Sequence, residues 1–131
     1  MTVTELRLVV TADDHEAAVA FYRDVLGMPE VPVPAGPGGR IAILEAGRAT
    51  LEIVDPVQAA YIDDVEVGRR VAGHVRVAFA VDDAAATTAA LEAAGASVVA
   101  PPTETPWRSL NARLEAPAGL QITVFARAPA G

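Results

Sequence analysis

The side chains able to do chemistry in this chain are few, and their spacing groups them. There is no cysteine among the 131 residues, and the two histidines are His15 and His74. Disulfides, thiol nucleophiles and thiolate metal sites are thereby excluded. Glu5, Arg7, Glu52, His74, Arg76 and Thr123 fall at alternating positions of segments that read as strands. Each is expected to project from the sheet face opposite a neighbouring apolar row. Carboxylates, an imidazole and guanidiniums on one face can exchange charge-assisted hydrogen bonds, orient a polar ligand or move a proton. No nucleophile elbow, phosphate loop or Ser-His-Asp set accompanies them. Gly36-Pro37-Gly38-Gly39 lacks the lysine and the helix of a phosphate loop and reads as a turn. Trp107 follows a proline-rich turn and Tyr61 lies on a long connection. Both are candidates to wall a cavity for a flat ligand, with core packing the alternative for Trp107. Tyr22 is read as helix packing, and Asp63, Asp64 and Glu66 as a solvated acidic face.

The elements that must position these residues occur twice. Leu6–Asp14 is a strand running into an aspartate pair and an amphipathic helix that stops at Gly27; Val75–Asp83 does the same, with its stop at Gly95. The aspartates supply N-caps and the glycines left-handed helix ends. In the first copy, strands over 40–45 and 49–54 follow, joined by Ala46-Gly47-Arg48. In the second, a short strand over 97–100, a proline-rich turn over 101–106, and strands over 109–115 and 120–126 follow. Each copy is therefore β-α-β-β-β, which predicts modules over 1–55 and 73–131 with a connecting segment over 56–72 holding one helical turn. The fold class is α+β: two βαβββ modules forming a curled mixed sheet with a concave cavity. The aspartate pairs lie 69 residues apart and the stop glycines 68. The first offset keeps the strand faces in step and makes Glu5 the counterpart of His74. Glu52 falls opposite Thr123 or Gln121, depending on how the hairpin turns are matched.

Seventeen acidic against ten basic residues give a net charge of −7, which argues against nucleic acid and anionic membranes as partners and would help binding if the ligand is cationic. No apolar run approaches the ~20 residues of a membrane span, and the N-terminus lacks the pattern of a signal peptide. A cytoplasmic location is expected.

Val19-Ala20-Phe21-Tyr22-Arg23-Asp24-Val25-Leu26-Gly27 resembles the FYxxxLG helix end of the glyoxalase/bleomycin-resistance/dioxygenase superfamily, the vicinal oxygen chelate proteins. Pro101-Pro102, Pro106-Trp107 and Ala116-Pro117-Ala118-Gly119 resemble the turns of that family's second module, with Arg108 in place of a glycine and Ala116 and Ala118 in place of two aspartates. The resemblance implies paired βαβββ modules, a homodimer and a cavity in each curled sheet. Many members hold a divalent metal on four strand residues; others bind a drug without metal. Carried over, the four positions are Glu5, Glu52, His74 and Thr123, of which the first three are competent ligands and Thr123 departs from the pattern. Arg7 and Arg76 on the same face disfavour a cation. An iron site of two histidines and a carboxylate is not expected, because His15 sits at a helix start. The expected function is metal-free binding of a hydrophobic or aromatic small molecule such as an antibiotic, with Glu5, Arg7, Tyr61, Glu52, His74, Arg76, Trp107 and Thr123 in contact. The alternative is a lyase, isomerase or thiol transferase dependent on zinc, nickel or manganese.

Overall fold

The computed structural model describes residues 8, 12–32, 39–49 and 56–127. Helix α1 (His15–Val19) starts where the sequence predicts, with the Asp14 carboxylate accepting the Ala17 N–H at 3.0 Å. It continues into a wider, π-wound segment over Ala20–Val25, and Gly27 leaves it at φ 71°, a conformation that suits glycine. Strands β1 (Glu30–Val31) and β2 (Ile43–Leu44) pair antiparallel as a short ribbon. The strand expected over 5–11 lies outside the described residues apart from Leu8, and that over 49–54 apart from Ala49.

The connecting segment holds more structure than one turn. Helix α2 runs over Pro56–Glu66, eleven residues. Its buried positions Ile62, Asp63 and Glu66 recur at helical spacing. Two of the three are acidic, and that mixture hid the helix from a hydrophobic-period reading.

The remaining elements are β3 (Val77–Ala80), α3 (Ala84–Ala93), β4 (Ser97–Glu104), β5 (Ser109–Ala116) and β6 (Leu120–Arg127). Asp83 caps α3 by accepting the Ala86 N–H at 2.9 Å. The sheet order is β3-β6-β5-β4, with β3 parallel to β6 and the other pairs antiparallel. The sheet is mixed and not closed. β4 corrects the expected proline-rich turn: it passes through Pro101 and Pro102 to Glu104. Its place at the end of the strand order, with register shifts against β5 between Val98 and Thr103, is where proline costs the ladder least.

Alternation along β5 and β6 separates two chemistries. Ala112, Leu114, Ile122 and Val124 face α3 and join Phe21, Leu91 and Ala96 in the apolar core. Tyr22 flanks this core, its hydroxyl donating to the Pro117 carbonyl at 3.3 Å; burial pushes its pKa up to about 12. The intervening residues Asn111, Arg113, Gln121 and Thr123 point to the other face and are buried as well.

Candidate functional site

The polar face is built from β3, β6 and β5, with α2 laid across its β5 side. Arg113 and Thr123 are register partners on β5 and β6, and Ala78 on β3 pairs with Thr123 from the other side. Two residues before Ala78 and on the same face, Arg76 donates from its guanidinium to the Thr123 hydroxyl. Thr123 is 1% exposed, so this charged donor meets its acceptor in a largely dry setting, where such a bond is strong.

Arg113 is the centre of the face. Its Nη1 donates to Asp63 Oδ1 at 2.8 Å and to Gln121 Oε1 at 2.9 Å, and its Nη2 to Glu66 Oε1 at 2.9 Å. Asn111 donates to the other Glu66 oxygen at 2.9 Å. Asp63 also accepts the Val71 and Ala72 N–H groups and the Arg70 guanidinium, at 2.8 to 2.9 Å. Arg113, Asp63 and Glu66 are almost wholly buried. The expectation of a solvated acidic face therefore holds for Asp64, which is exposed, and is corrected for Asp63 and Glu66. These carboxylates find a guanidinium fifty and forty-seven residues away, a partner that local sequence does not reveal.

Burial alone would raise the Asp63 pKa. The amides of Ala72 and Val71 and the guanidiniums of Arg113 and Arg70 outweigh it and hold the carboxyl well below the usual carboxylate range. A folded-state pKa below the unfolded one means that the unfolded chain binds protons first as the pH drops. Asp63 therefore stabilises the fold above the ordinary carboxylate range, and that contribution fades as pH falls through about 4 toward the depressed folded value. Unfolding midpoints measured between pH 6 and pH 3 are expected to fall less steeply in Asp63→Asn than in the parent chain.

The other candidate residues are placed as follows. Tyr61, on α2, and Trp107, in the β4–β5 turn, lie with ring centroids 6.2 Å apart and tilted by 54°. Both remain about half exposed, at 46% and 44%, so Trp107 is not a core residue. His74 is exposed and precedes β3, and it is not among the residues gathered around Arg113. Glu5, Arg7 and Glu52 lie outside the described residues. Asn111, Arg113 and Gln121 were not assigned to a site from sequence; the signal was their alternation with Ala112, Leu114, Leu120 and Ile122.

Of the four positions that would hold a family metal, Thr123 and His74 are described. A guanidinium hydrogen-bonded to Thr123 sets a positive charge where a divalent ion would need electron-rich oxygen, so the Thr123 position does not fit a divalent metal. Among the described residues no group of three or more His, Cys, Asp or Glu side chains could hold a metal ion. An open cleft of about 420 Å³ lies elsewhere, between Asp13, Asp14, Ala17 and Ala18 at the start of α1 and the Pro117–Gly119 turn. Among the described residues no helix is long and apolar enough to cross a membrane.

A sequence profile of the Glyoxalase/Bleomycin resistance protein/Dioxygenase superfamily matches residues 6–124, and the chain belongs to that superfamily. It is 33% identical over 118 residues to a Mycobacterium bovis protein with the provisional name glyoxylase CFP32, covering 89% of this chain but 41% of that one. The chain thus spans about two fifths of the length of this relative. Among solved structures it is similar to a lactoylglutathione lyase from Agrobacterium tumefaciens, with TM-score 0.54, 28% identity and coverage of 88% and 86% of the two chains. The fold is also that of TnmS3, an antibiotic binding protein from Streptomyces sp. CB03234, with TM-score 0.63, 23% identity and coverage of 98% and 99%.

Proposed function

We propose that the chain binds a hydrophobic or aromatic small molecule such as an antibiotic without a metal, and sequesters it as a cytoplasmic homodimer. The observation that carries this reading is the Arg76–Thr123 bond. It makes a hydrogen-bonding corner of a position that metal-binding relatives would give to a ligand. Arg76 and Thr123, with Glu5, Arg7, Glu52 and His74, would orient polar groups of the ligand. Tyr61 and Trp107 offer exposed rings on which a planar compound can stack, and stacking with apolar burial would supply most of the affinity. That an antibiotic binding protein is built on the same fold supports the reading.

The test uses protein purified without added metal. We expect substoichiometric metal, and quenching of the fluorescence of Trp107, the sole tryptophan, by the planar cation proflavine. Tyr61→Ala should weaken proflavine binding by calorimetry about five- to tenfold, the loss of roughly 1 kcal/mol of ring contact. Stoichiometric zinc, nickel or manganese that disappears in Glu52→Ala or His74→Ala would overturn the reading. It would favour instead a metal-dependent lyase, isomerase or thiol transferase, the second reading, which the 28% identity to a lactoylglutathione lyase supports.

A further inference from the structure

We propose that α2 is a displaceable cover on the polar face of the sheet, latched there by Glu66 on Arg113 and Asn111. The apolar cluster on the α3 side includes no described residue of α2, and Ile62 is the one buried apolar side chain among the described residues of that helix. The bonds described between α2 and the sheet are polar: Arg113 to Asp63 and Glu66, and Asn111 to Glu66. Buried ion pairs hold their partners weakly in net terms, because separation lets both ions regain hydration. An interface in which they join a single buried aliphatic side chain parts more readily than a wholly apolar one.

The bonds of Asp63 divide in a telling way. Those from Arg70, Val71 and Ala72 belong to the chain directly after α2 and can travel with it. Among the bonds between described residues, three to β5 and a long contact from Gln121 to the Val71 carbonyl, at 3.3 Å, cross to the sheet. Beneath the cover, Arg113 Nε is buried with no hydrogen-bond partner among the described residues, a donor that the closed arrangement leaves unsatisfied and that opening would hydrate. Gly68, at φ 88°, and Gly73 bound the segment that must turn, and a side chain at either would meet nothing within 4 Å. As α2 leaves, Tyr61 parts from Trp107 at the rim, and Arg113, Asn111 and Gln121 are uncovered beside Thr123.

That the uncovered face then receives the ligand rests on the proposed function. The opening itself does not, and hydrogen exchange on the ligand-free full chain tests it separately. In the parent protein the amides of residues 60–66 should exchange together, at least about tenfold faster than those of β5 and β6. Glu66→Gln, which keeps an acceptor but removes the charge, should speed α2 exchange several-fold further and leave β5 and β6 unchanged. Exchange of α2 at the same rate as β5 and β6, or graded fraying from one end of the helix, would overturn the proposal, and the parent protein alone decides this if the variant does not fold. An unaltered α2 rate in a folded Glu66→Gln variant would overturn the latch.

Discussion

Arg113→Ala is expected to destabilise the fold by about 3–5 kcal/mol at neutral pH. The loss comes less from the bonds removed than from what they leave: Asp63 and Glu66 buried, with Glu66 retaining Asn111 alone of its described partners. The cost should therefore depend on pH. Arg113 is one of the groups that hold the Asp63 carboxyl below the usual carboxylate range, so the stability gap between the parent and Arg113→Ala should narrow as the pH is lowered from 7 toward 4. Urea unfolding at the two pH values measures both quantities. A gap that is equally large at pH 4 would mean that Arg113 acts through packing and not through charge.

Leu114→Ala, one residue further along the same strand, is expected to cost about 2–5 kcal/mol for a different reason. Leu114 is fully buried against Leu91 of α3 and Ile122 of β6 in the apolar core. Truncation removes apolar contacts and leaves a cavity, and neither effect titrates. The penalty should be the same at pH 7 and pH 4, with little change in the dependence of stability on urea concentration. Neighbouring substitutions with comparable penalties, one dependent on pH and the other not, would separate the two faces of β5 energetically. A Leu114→Ala penalty below about 1 kcal/mol would show that the core refills the space.

These two faces also mark what could be read in advance. The α+β class and the βαβββ order of residues 77–127 were legible because strand alternation, aspartate caps and stop glycines all agree. The placement of Arg76 and Thr123 on one face followed from the same alternation. The length of α2 was not legible, since its inward row combines Ile62 with Asp63 and Glu66 and lacks a clean apolar period. Nor was the burial of those carboxylates, because their compensating charge stands on β5. Pro101 and Pro102 read as a turn, and only the strand order reveals that β4 lies at an edge where they can be accommodated. Where stabilisation came from local pattern the sequence was sufficient; where it came from pairing across some fifty residues it was not.

The Asp63–Glu66–Arg113 triad has an evolutionary consequence. Each member is intolerable alone in the interior, so neutral drift can hardly alter one without a simultaneous change at another. Homologous chains should therefore vary these positions as a set, either keeping both acids with the arginine or replacing all three by uncharged residues.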